Sequence, residues 1–285
     1  MSESAPLNAE MIETDSLRRQ FGSMRLGLLP LFVVCLVGCV SVPTPRLEVV
    51  RSWPAAEANQ GVAVGPEYFY AIGDRTLGKY EKSTGRKVGE WSAPPGSGIK
   101  HLNAGVVVGE RLVVAHSNFP AKPDESSLEF FDAVTLRHLG RKVFVDPPGS
   151  LTWAVPERAG WLVCFAHYAV NSNPARSRLI RYDADWKPLA EWSFPSELLA
   201  RFGMFSSSGG GFGLDGMVWV SGHDAKELYR LSLPAGGGQA RWEGKVAFAS
   251  AGQAFAWDPT RPQELYSIQR KTKQVLVSRL AMDAP

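Results

Sequence analysis

From Asn103 to Phe131 short apolar runs alternate with polar turns. Asn103–Val108 is one run, Gly109-Glu110 a tight turn, and Arg111–Ala115 a second run that ends in His116-Ser117-Asn118. A polar loop follows, then Ser127–Phe131. Apolar segments of this length between turn residues predict strands. The unit recurs. First strands are expected to start near Gln60, Asn103, Ser150, Gly209 and Gln253, spaced 43, 47, 59 and 44 residues apart. Second strands are expected at 68–72, 111–115, 161–166, 217–221 and 264–268, and third strands from Thr76, Ser127, Arg178, Glu227 and Gln274. Fourth strands begin at Lys87, Gly140, Leu189 and Glu243, and the fifth unit has none. The leftover segment Leu47–Trp53, LEVVRSW, is similar to the fourth strands KVGEWS and LAEWSF. A radial array leaves an open edge unless one terminus completes the last sheet. The pattern therefore predicts an all-β, five-bladed β-propeller closed by an N-terminal strand that supplies the outer strand of the last blade. A sandwich needs no repeat, and a solenoid needs capping units that the sequence lacks. Phe194–Gly203 breaks the pattern and predicts a short helix, with Ser196 as N-cap and Gly203 as its stop.

The first residues read differently. Arg25 precedes an apolar run, Leu26–Gly38, too short to span a bilayer and suited to a signal-peptide core. It ends in Leu36-Val37-Gly38-Cys39, which resembles the lipobox of bacterial lipoproteins. That resemblance implies lipidation of Cys39, which becomes the first mature residue. Arg18-Arg19-Gln20-Phe21 looks like a twin-arginine export signal, and Met24 is an alternative start. The expected organisation is a leader over 1–38, a tether over 39–45 and one propeller domain over 46–285. The protein is then expected on the periplasmic side of the cell envelope, anchored to a membrane. Val40 after Cys39 points to the outer membrane.

Cys35 and Cys39 belong to the leader and its end, which leaves Cys164 alone in the folded part, inside an apolar strand, as a buried small residue. The chain carries a net charge of +3. Residues 1–38 hold three arginines against four acidic residues, so the mature part carries +4. Its basic residues are scattered, which excludes a nucleic-acid footprint, and a monomer is expected.

In a propeller, first-strand starts and second-strand ends gather at one mouth of the central channel. The starts offer Gln60, His101, Asn103 and Gln253. The second-strand ends offer Asp74, His116, Asn118, His167, Tyr168, His223, Asp224 and Arg270. Four of the five histidines fall in this set, and only His138 does not. Such a group can bind a small polar or peptide ligand by hydrogen bonds, with Trp153, Tyr168 and Phe212 as apolar walls. His116, His167 and His223 can also act as acid and base, since histidine titrates near neutral pH. Zn²⁺ is a further option, but there is no HExxH or close His-x-His pair, so the sequence assigns neither a metal nor a cofactor. Asp124-Glu125 reads as a solvated turn. Ser117 lies beside His116 on one strand, so the two point to opposite faces. Ser206–Gly211 lacks the following Lys of a phosphate cradle.

Gln60-Gly61-Val62, Tyr68–Gly73 and Lys79–Gly85 resemble the opening blade of the glutamine cyclotransferase-like five-bladed propellers of plants and bacteria, with an echo at Gly252–Trp257. That resemblance implies the fold and, as an activity, cyclisation of N-terminal glutamine; it carries over no catalytic residue. AHSNFP, GSLTW, FAHY and SGHDAKELY look like segments of bacterial propeller lipoproteins of unassigned function. The leading expectation is an exported, lipid-anchored propeller that binds a small polar or peptide ligand at a histidine-rich channel mouth. The alternatives are an envelope enzyme, cyclotransferase-like or a lyase or isomerase, and an envelope protein-interaction scaffold.

Overall fold

The computed structural model describes residues 45–282. The leader, Cys39 and most of the tether lie outside them. The described chain enters with β1 (Pro45–Pro54). Blade 1 follows as β2 (Gly61–Val64), β3 (Tyr68–Ile72), β4 (Thr76–Glu81) and β5 (Lys87–Ser92). Blade 2 is β6 (His101–Val108), β7 (Arg111–Ser117), β8 (Ser126–Asp132) and β9 (His138–Phe144). Blade 3 is β10 (Ser150–Glu157), β11 (Gly160–Ala166), β12 (Arg178–Tyr182) and β13 (Pro188–Ser193). Helix α1 (Ser196–Phe202) leads to blade 4: β14 (Gly209–Phe212), β15 (Val218–Ser221) and β16 (Glu227–Ser232). The chain then makes β17 (Gly238–Gln239) and β18 (Arg241–Ala247). Blade 5 is β19 (Ala256–Trp257), β20 (Glu264–Gln269) and β21 (Gln274–Met282), completed by β1.

These five sheets, antiparallel but for one added strand in blade 3, make a five-bladed β-propeller, as the repeat predicts. Closure is also as expected. β1 runs antiparallel to β21, from Pro45 opposite Met282 to Pro54 opposite Gln274, with one register shift between Val49 and Arg51. Arg51 on β1 and Arg279 on β21 both bind the buried Glu264 of β20, at 2.7 and 2.9 Å.

The inner strands are apolar throughout because each sheet is covered on both faces. Successive residues of a strand point to opposite faces. On β7, Leu112 and Val114 pack with Ile72 and Leu77 of blade 1. Val113 and Ala115 pack with Leu151 and Phe165 of blade 3. The core is therefore a ring of inter-blade layers. Helix α1 buries Leu198 and Phe202 over the layer between blades 3 and 4. The outer strands β5, β9 and β18 alternate toward solvent.

Three details depart from expectation. Pro195, not Ser196, precedes the helix, and it makes no side-chain capping bond. Ser196 is already helical, and its hydroxyl faces Glu197. β17 adds a fifth strand to blade 3, parallel to β13, with Trp192 opposite Gly238. The inner strand of blade 5 shrinks to two residues, since Gln253, at φ 69°, turns the chain just before it.

Each inner strand starts, and each second strand ends, at what we call the upper mouth of the channel; the turns between them lie at the lower mouth. β1 begins at the lower side and ends at the upper.

Candidate functional site

At the upper mouth, side chains from all five blades meet in a chain of contacts. Asp74, after β3, accepts hydrogen bonds from Gln60 Nε2 at 2.6 Å and Asn59 Nδ2 at 2.9 Å. His101 Nδ1, at the start of β6, lies 3.0 Å from the same carboxylate. The hydrogen bond from His101, with that from Gln60 and the charge of Arg270, holds Asp74 below the usual carboxylate range; partial burial acts the other way. His101 then meets the ring of Phe119 at 5.8 Å between centroids. Phe119 meets Tyr168 edge-on at 4.5 Å, and Tyr168 meets Phe205 at 6.1 Å. Phe205 lies 4.1 Å from the His223 ring. Arg270 Nη1 donates to His223 Nε2 at 3.2 Å. Arginine can only donate, so His223 carries its proton on Nδ1, which it gives to Asp224 Oδ1 at 2.6 Å. The charge of Arg270 also acts on Asp74 at longer range, across the boundary between blades 5 and 1.

Of the expected site residues, Gln60, Asp74, His101, Tyr168, His223, Asp224 and Arg270 thus share the rim. The expectation that His116 and His167 turn into the same space is not what the geometry gives. His116 is 3% exposed. Its Nε2 accepts the backbone N–H of Lys100 at 3.0 Å, so its Nδ1–H points to Ser127 Oγ, also at 3.0 Å. Ser127 passes the chain on to the buried Glu129, which also takes His138 Nε2 at 2.7 Å and Arg141 Nε at 3.3 Å. Burial, reinforced by the Arg141, His101 and Lys100 charges, pushes His116 down to about 4. His167 bridges Ser172 Oγ and the Pro148 carbonyl, and burial lowers its pKa too. Both rings tie loops together with both nitrogens engaged.

Asn103, Asn118 and Gln253 also hold backbone. Asn103 Nδ2 donates across the blade boundary to Leu151 O at 2.9 Å. Asn118 bridges Pro123 O and the Glu125 N–H, which fixes the loop that presents Phe119. Gln253 Nε2 donates to the His223 carbonyl at 3.4 Å, while its own backbone carbonyl accepts from Ser221 Oγ at 2.6 Å. Trp153 is fully buried, its N–H on Ser207 Oγ, and Phe212 lies at the opposite mouth; of the three expected walls only Tyr168 is at the rim. Cys164 is buried, and burial raises its thiol to about 12. Sequence reading missed Phe119 and Phe205. Each is a lone aromatic ring in a polar loop, AHSNFPAK and GMFSSS, the one signal that marks them. Among the described residues no three His, Cys, Asp or Glu side chains group closely enough for a metal ion.

Fold and rim together define a five-bladed propeller with a polar and aromatic upper mouth. No protein-family model matches the chain, and no curated protein matches it. Among solved structures, it is similar to the mitotic checkpoint complex, with 7% identity over 94% of this chain and 99% of the other, at a TM-score of 0.44. It is similar to the PQQ-bound form of aldose sugar dehydrogenase from Streptomyces coelicolor, with 12% identity over 84% and 99% and a TM-score of 0.48. The WD40 repeats of RRP9 align with 11% identity over 84% and 99%, at 0.44. Likenesses this distant say nothing of the rim's chemistry, and the resemblance of blade 1 to glutamine cyclotransferase-like propellers finds no support among them.

Proposed function

We propose that the protein is an exported, lipid-anchored propeller that binds a small polar or peptide ligand at its upper mouth. The observation that carries the binding reading is the chain of contacts from Asp74 through His101, Phe119, Tyr168, Phe205 and His223 to Arg270. It sets the half-buried rings of Phe119 and Phe205, backed by the buried Tyr168, in one rim with a guanidinium and a carboxylate. A ligand with a carboxylate and a planar or apolar group matches both, since guanidinium pairs well with carboxylate and aromatic rings add contact area. Binding is favoured over proton transfer because His223 Nε2 is already an acceptor for Arg270, while His116 and His167 have no free nitrogen.

A panel of free amino acids and dipeptides titrated by calorimetry tests this. At least one member should bind, and Arg270→Met or Phe119→Ala should weaken it about tenfold, near 1.4 kcal/mol. Ligands that bind both variants as tightly as the parent would remove the rim from consideration. Export and anchoring rest on Leu26–Cys39. Cys39→Ala should move the protein from the membrane fraction to the soluble one, and mass spectrometry of the parent should find acyl groups on Cys39. An unmodified Cys39 would overturn the anchor and leave the ligand site untouched.

A further inference from the structure

At the lower mouth the channel opens into a pocket of about 190 Å³ to which every blade contributes, through Val64, Val106, Val155, Phe212, and Phe255 with Trp257. No charged side chain lines it. The remaining wall includes Gly211, and this glycine is not required by the fold. A Cβ at Gly210 would fall 2.4 Å from the Trp153 ring, one at Gly61 2.6 Å from Ala254, and one at Gly105 2.7 Å from Ile72. Blade packing demands the first two, and at Gly105 the Ile72 side chain would have to move. A Cβ at Gly211 would meet only Trp257 Cδ1 at 3.7 Å and Phe255 Cε2 at 3.9 Å, ordinary contacts with two of the pocket's own walls. Its backbone is not left-handed either. Glycine inside a strand weakens it and often marks a place that a ligand approaches closely. What its missing side chain preserves here is the pocket.

We propose that this pocket binds a monocyclic aromatic molecule, by shape and edge-to-face contact with Phe212, Phe255 and Trp257 and without ion pairing. The size fits, since an apolar cavity of about 150 Å³ stays dry and takes up benzene. Aromatic rings prefer the edges of other rings, and three of them stand on the blade 4 and blade 5 side, against valines from blades 1 to 3.

Fluorobenzene followed by its ¹⁹F signal is the probe, with toluene and hexane as competitors. The parent should show saturable binding that toluene displaces at least tenfold better than hexane. Gly211→Val should weaken fluorobenzene at least tenfold at an unchanged melting temperature, and Gly211→Ala should weaken it less. Should the valine variant fail to fold, the alanine variant decides alone through a threefold loss. Val134→Ser, on an exposed turn of blade 2 away from both mouths, should leave fluorobenzene affinity unchanged. Absence of saturable binding, equal binding to the Gly211 variants, or equal displacement by hexane each overturns the proposal.

Discussion

His116 shows how one residue's chemistry follows from its partners. Its ring sits between the Lys100 amide and the Ser127 hydroxyl, inside blade 2, as a neutral imidazole. The folded value of about 4 lies below the ordinary 6.5, so the unfolded chain takes up the proton first as pH falls. Stability from this group is therefore present above about 6.5 and is lost as pH drops toward 4. Between pH 7 and 5 the loss should be about 2 kcal/mol. His116→Gln should flatten denaturant-derived stability over that range by this amount; an unchanged slope would show that the ring titrates normally. His167 is shifted in the same direction and adds to the acid sensitivity. The recurrence of histidine at second-strand ends is plain in the sequence, but where the rings point is not. A period of two sends His116 and Ser117 to opposite faces. Which face looks onto the channel depends on register, and β6 slips against β7 between Leu102 and Gly105. The polar partners Ser127, Glu129 and Ser172 gave no motif to read.

Among the elements, the seam between blades 1 and 5 joins residues far apart in the chain. There Lys82, after β4, meets Asp258, after β19, at 2.7 Å, and both side chains are buried. Lys82 Nζ also reaches the carbonyls of Gly65 and Pro66 and the Thr260 hydroxyl. Lys82→Met leaves a buried carboxylate without its cation and should cost about 3–5 kcal/mol. Lys82→Met with Asp258→Leu should recover part of that in the same melts; a double variant no better than the single would mean that the pair is not coupled. The strand elements themselves were legible almost throughout, because two-sided burial writes continuous apolar runs bounded by turns. β17 was not, since Gly236, Gly237 and Gly238 all take positive φ and leave no periodic pattern. The short inner strand of blade 5 escaped for a related reason, the turn at Gln253.

For the whole molecule, β1 decides whether five sheets make a ring. Without residues 45–54, β21 becomes an exposed edge and Glu264 loses Arg51. Removing them should replace a single cooperative melt with a broad one and promote aggregation through that edge, readable by calorimetry and light scattering; a sharp transition in the shortened chain would show that the ring holds without its clasp. The rim depends on the same closed ring, because its residues come from all five blades, Asp74 from blade 1 and Arg270 from blade 5. The clasp also sets a direction. Pro45 lies opposite Met282, so both ends of the described chain leave side by side from the face that carries the apolar pocket. A sensor chip coupled at Pro45 or at Met282 would grip the molecule by its underside and leave the brim turned to the flowing solution.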